Sequence, residues 1–221
     1  TSSSEKDQIS QPTASIDDNE NTKIEIVQTK DEIIEDSERV FIKNSKISGS
    51  INLSGAILDD LILLNYKESL NPNSSNISLL SPDGTSNPYY IEFGWKELSN
   101  NSNLIDLPSL DTKWSTSSTY LETNSPVTLS WNNNQNITFK IIFEIDENYL
   151  FNKTKIIENK SKLNIEVFPY RLIKRINYPD TINFFILHEG LISLLNNELL
   201  EKKFSKLEDN CSSSNKTKSI F

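Results

Sequence analysis

The chain has 221 residues, with 31 Asp and Glu against 22 Lys and Arg and a formal net charge of −9. That balance argues against nucleic acid and against docking on an anionic lipid surface, since both need clustered cations. A single Cys and a single His exclude an internal disulfide and a structural zinc site. No run approaches the ~20 apolar residues of a membrane-spanning helix. With 35% hydrophobic and 24% charged residues, the composition fits a soluble globular domain able to bury one core.

Thr1 to Asn21 is polar, with Ile9, Ala14 and Ile16 as its only apolar residues. It cannot bury enough surface to offset ordering entropy, and it reads as a linker. It has no apolar signal segment, so any export or anchoring segment is expected upstream of Thr1. Ile24-Glu25-Ile26-Val27 and Ile33-Ile34 follow as short apolar clusters. The second fits a brief strand or a helical turn equally well.

From Arg39 the pattern becomes β. Strands are predicted at Val40–Lys43, Ser48–Leu53, Ile57–Asn65, Tyr89–Trp95, Val127–Trp131, Tyr149–Ile157, Tyr170–Ile176 and Phe184–Glu189. The clearest strand is Ile137 to Ile145, where Ile137, Phe139, Ile141, Phe143 and Ile145 alternate with Thr138, Lys140 and Glu144. Period two puts the apolar set on one face of a sheet. Leu163-Asn164-Ile165-Glu166-Val167 shows the same alternation. Asp146-Glu147-Asn148 reads as a hairpin turn, and Ser81-Pro82-Asp83-Gly84 as another. With five glycines in the chain, Asn must supply many of the turns. Leu191 to Leu207 is ambiguous: Leu194, Leu195, Leu199, Leu200 and Phe204 have helical spacing. Many short strands with few helical segments indicate an all-β sandwich or barrel.

Several constellations invite a chemical role. Adjacent strand residues point to opposite faces, so Asp59-Asp60 should not form a shared-proton pair, and turn or edge chemistry suits them better than calcium. His188-Glu189 resembles an acid–base pair, yet there is no second His to complete an epimerase site, and a structural hydrogen bond is the plainer role. Trp95, Trp114, Trp131, Tyr89 and Tyr90 could line a sugar platform, although sandwich aromatics usually pack in cores. Arg171, Lys174 and Arg175 form a compact basic cluster that reads as a solvated strand face. Cys211, beside Asn210 and a Ser run, reads as exposed and non-catalytic.

Ordered blocks of the sequence resemble the large periplasmic domain of YidC-type membrane protein insertases. They begin with Gly49 to Tyr66, then Asn71-Pro72-Asn73-Ser74 with Leu79-Leu80-Ser81-Pro82. Tyr89-Tyr90-Ile91-Glu92-Phe93-Gly94-Trp95 and Pro126 to Asn132 follow. Asp146 to Phe151, Glu158 to Ser161, Tyr170 to Ile173 and Phe185 to Ile192 complete the series. The resemblance covers about Val40 to Leu207 and implies an all-β supersandwich, similar to galactose mutarotase-like folds. A short helix near the C-terminus remains open beside a strand.

On that basis residues 1–36 are expected to be a flexible periplasmic linker, 37–209 a partial supersandwich domain and 210–221 a polar tail. In the family the domain continues past the Leu207 region, so a fragment, truncation or frameshift is expected near Glu208. The resemblance implies a non-catalytic interaction and scaffolding domain on the periplasmic side of a bacterial inner-membrane insertase. Its expected partners are Sec translocon accessory subunits and nascent membrane proteins, with no nucleic acid. The domain itself should be a soluble monomer with no catalytic, metal or cofactor-binding residue and no cofactor. The competing expectation is a carbohydrate-binding or mutarotase-like sugar-modifying protein of the same fold.

Overall fold

The computed structural model describes residues 27–97, 105–177, 190–195, 197–204 and 218–220. Helix α1 (Lys30–Glu35) is followed by β1 (Arg39–Lys43), β2 (Ile47–Asn52), β3 (Ile57–Lys67), β4 (Asn76–Leu80) and β5 (Tyr89–Glu97). Next come β6 (Ser115–Thr116), β7 (Tyr120–Glu122), β8 (Val127–Asn132), β9 (Ile137–Ile145) and β10 (Phe151–Asn159). The series ends with β11 (Val167–Arg175), β12 (Gly190–Leu195), β13 (Glu198–Lys203) and β14 (Lys218–Ile220). Among the described residues no helix is long and apolar enough to cross a membrane.

Two sheets face each other. The larger runs β14-β11-β5-β3-β2-β1-β7, with β4 also pairing with β3, and the smaller runs β10-β9-β8-β6. Neighbouring strands are antiparallel except for β1 and β7, which run parallel. The core between the sheets forms as the period-two reading requires. Ile137, Phe139, Ile141, Phe143 and Ile145 are all at most 6% exposed. Phe139 packs edge-on to Trp95 of β5 at 5.2 Å, and Phe143 meets Phe93 at 5.6 Å. Offset and edge-to-face aromatic pairs of this kind add to what area burial alone contributes.

Close strand packing accounts for two glycines. A Cβ on Gly49 would lie 2.1 Å from the Asp60 carbonyl oxygen, so β2 and β3 could not keep their spacing. At Gly94 the space is taken by the Tyr170 ring, which comes within 2.4 Å of where a Cβ would stand. Tyr170 is the cross-strand partner of Gly94, so the ring covers a backbone gap in the sheet. Asn supplies positive φ at 124, 136, 177 and 197, as the shortage of glycine demanded.

The structure settles two readings left open and places several segments differently from their sequence pattern. Residues 191–207 are not helical where described: β12 and β13 form an antiparallel hairpin, with Leu194 opposite Leu199. Of that leucine set only Leu194 and Leu199 oppose each other, while Leu200 opposes Ser193 and Leu195 opposes Glu198, so the spacing marks no helix face. Residues 163–166 are not a strand, because the chain here passes from β10 in one sheet to β11 in the other. Ile165 and Val167 still pack on the core, which is why the segment alternates. Ile33 and Ile34 lie in α1, inside the segment read as linker, and a capping box at Thr29 and Glu32 starts that helix. Lys218–Ile220, read as part of a polar tail, pairs with β11.

Candidate functional site

Asp59 and Asp60 lie in β3, where the register against β2 shifts between Ser50 and Ile51. Ser50 opposes Asp60 and Ile51 opposes Leu58, which leaves Asp59 as the extra residue of a β-bulge. The bulge breaks the alternation on which the opposite-face expectation rested. Both carboxylates are buried, at 3% and 6% exposure, and both reach one polar chain. Arg39 pairs with Asp59 and donates from Nε to Ser50 Oγ at 2.7 Å. The Ser50 hydroxyl donates to Asp60 Oδ2 at 2.7 Å, and Lys30 of α1 stands 2.7 Å from Asp60 Oδ1. Burial pushes the Asp59 carboxyl up to about 6, against the opposing pull of Arg39. Each carboxylate has its own cationic partner, and the chain of contacts fastens α1, β1, β2 and β3 together. This is a structural network.

The aromatic set divides in the same way. Trp95, Trp114 and Tyr90 are buried, and Trp95 stacks on Trp114 at 6.2 Å. Trp131 and Tyr89 are partly buried and pack against the core. No sugar platform is formed by these residues. His188, Glu189 and Cys211 lie outside the described residues. The basic cluster of β11 is split by strand alternation: Lys174 lies over the Tyr90 ring, Arg175 over the Tyr89 ring, and Arg171 reaches a cleft.

That cleft lies beside the core and has a volume of about 280 Å³. Its floor is Ile47, Leu58, Leu61 and Leu63, with Leu79 and Leu80 of β4 on one side. Ile91 and Phe93 of β5, Phe143 of β9, and Tyr89, Tyr149 and Phe151 complete the apolar lining. Its charged lining is Lys153 and Arg171. Tyr149 holds φ at 73°, a costly conformation for a bulky residue. Asp146 Oδ1 maintains it by accepting hydrogen bonds from the backbone N–H groups of Asn148 and Leu150 at 2.7 and 2.8 Å. The strained residue thus stands in the wall of the cleft.

Lys153 and Arg171 come from different sheets and meet over Phe93. Lys153 is the cross-strand partner of Phe143, and Arg171 that of Phe93. Lys153 Nζ lies 3.9 Å from the Phe93 ring centroid, a cation–π contact. Burial, then the Arg171 charge, lowers the Lys153 ammonium to about 8. Lys155 is lowered to about 7, by burial and then by Lys153 and Arg171. It donates to the Gly94 and Tyr170 carbonyl oxygens at 2.6 and 2.7 Å, latching one sheet to the other. Because β10 ends the smaller sheet, its inward lysines also oppose addition of another apolar strand there.

Sequence reasoning missed this site. It names Arg171 and Tyr89 separately, and the further signal is the placement of Lys153 and Lys155 at inward positions of β10, between Phe151 and Ile157.

Residues 39–220 match the family model described as YidC periplasmic domain. Similar curated proteins include the membrane protein insertase YidC of Methylobacterium radiotolerans, 41% identical over 166 residues, which cover 75% of this chain and 26% of that protein. The Methylorubrum extorquens protein of the same name is 38% identical over 79% of this chain and 28% of its own length. That of Dinoroseobacter shibae is 36% identical over 79% of this chain and 29% of its own. The chain thus spans well under a third of these relatives' length. The match agrees with the sandwich, and the chain belongs to the YidC periplasmic domain family.

Proposed function

We propose that the domain is a non-catalytic interaction and scaffolding module of a membrane protein insertase. It assists insertion and folding of inner-membrane proteins alongside the Sec translocon. The observation that carries this reading is the apolar cleft between the sheets, with its strained lining residue Tyr149 and paired cations. Apolar walls with a few fixed polar groups suit recognition of an extended polypeptide through side-chain pockets. The buried Arg39–Asp59 and Ser50–Asp60 contacts hold the large sheet as a rigid support. Client segments of nascent membrane proteins are the occupants of the cleft, and Sec accessory subunits are the partners on outer surfaces.

The reading is tested by site-specific photo-crosslinking in the membrane-embedded insertase that carries this domain. Adducts to Sec components from outer-face positions such as Phe41 are the expected result. Their absence from every surface position would overturn the scaffolding role.

A further inference from the structure

The cleft's charge says what kind of segment it takes. The described lining includes two cations and no carboxylate, in a chain whose acidic residues outnumber basic ones by 31 to 22. Cations are therefore placed here against the trend of the composition. Lys155, the third cation nearby, is committed to two backbone carbonyls and forms part of the frame. Lys153 and Arg171 instead face one another's charge across Phe93, an arrangement that an incoming anion relieves and an incoming cation worsens.

We propose that the cleft selects apolar segments bearing acidic residues and rejects those bearing Lys or Arg. This rests on the cleft being the client site. A volume of about 280 Å³ is small for a ligand site and accommodates a few apolar side chains rather than a folded element. Lys153 and Arg171 in the lining then pair with a carboxylate next to those side chains. The selection matches the chemistry of membrane topology: Lys- and Arg-rich loops stay on the cytoplasmic side, so segments reaching the opposite side are poor in them. A cation-lined cleft on that side binds correctly translocated segments and repels those that should have been retained.

The test is calorimetric titration of the 221-residue chain with three short extended Leu- and Val-rich peptides. They are identical except for a pair of Glu, Gln or Lys residues beside the apolar positions. The Glu peptide is expected to bind about tenfold more tightly than the Lys peptide, with Gln between, as for charge contacts of modest strength. The K153Q/R171Q double variant should bind all three alike. Raising salt to about 0.5 M should narrow the difference for the unsubstituted chain, which keeps the test valid if the double variant folds poorly. Equal affinity for the three peptides at low salt would overturn the charge selection and leave the client-site reading standing. Failure of all three to bind would overturn both.

Discussion

Replacing Arg39 by Met should destabilise the fold by an amount that depends on pH in a defined way. The Arg39 side chain is 0% exposed and that of Asp59 5%, so removal strands a buried carboxylate without its cation. Breaking a buried pair in this way costs about 3–5 kcal/mol when the remaining charge stays ionised. Asp59 can escape by taking up a proton. In the unsubstituted chain burial already holds this carboxyl at about 6 against an ordinary 3.8. Its folded pKa is raised, so its contribution is fully present below the unfolded value and is lost as pH rises through 6. That loss is roughly 3 kcal/mol between about pH 4 and pH 7.

Without Arg39 the carboxyl rises further, and the loss continues to higher pH. The gap between R39M and the parent should therefore be about 1–2 kcal/mol at pH 5, the worth of the lost hydrogen bonds. It should widen to several kcal/mol by about pH 8. Urea unfolding followed by tryptophan fluorescence across that range measures it. Substituting both partners, as R39M/D59L, should recover most of the stability at pH 8. A penalty of equal size at pH 5 and pH 8 would refute the assignment of Asp59 as the buried counter-ion.

Other outcomes follow from the same geometry. Gly49→Ala should cost more than Gly94→Ala, about 3 against about 1–2 kcal/mol in denaturant midpoints. The added methyl meets backbone at the first site and a displaceable ring at the second. Equal costs would contradict this packing. Phe139→Ala, at a fully buried position between Trp95 and Trp131, should lose about 3–5 kcal/mol and change the tryptophan emission. Lys155 is held at about 7, below its ordinary 10.5, mainly by burial. The fold carries the cost of that charge in full below pH 7 and sheds it as pH rises. The parent should therefore gain stability relative to Lys155→Met from about pH 7 up to about pH 10, and a constant difference would count against burial of the Lys155 charge.

The parts of this fold that could be read from the sequence are those where one face is buried and the other wet. β9 alternates so cleanly that each inward residue is identifiable, and its boundaries coincide with the reading. The Asp59-Asp60 pair could not be placed, because a bulge is a choice of register between two strands and leaves no mark on period two. Leu163 to Val167 misled for the opposite reason: burial of Ile165 and Val167 imitates a strand where pairing does not begin until Val167. The cleft depends on Lys153 and Arg171 meeting from different sheets across Phe93, a juxtaposition set by topology. The family resemblance supplied the architecture, and its blocks contain most of the residues that line the cleft, but it did not say that they meet there.

The most direct test places a photo-crosslinking amino acid at Leu79, in the cleft wall, and at Thr154, on the exposed side of β10, within the full membrane-embedded insertase. During synthesis of an inner-membrane protein, the account predicts client adducts from position 79, confined to translocated apolar segments that bear acidic residues, and few from position 154. Client adducts from position 154 with none from position 79 would contradict it.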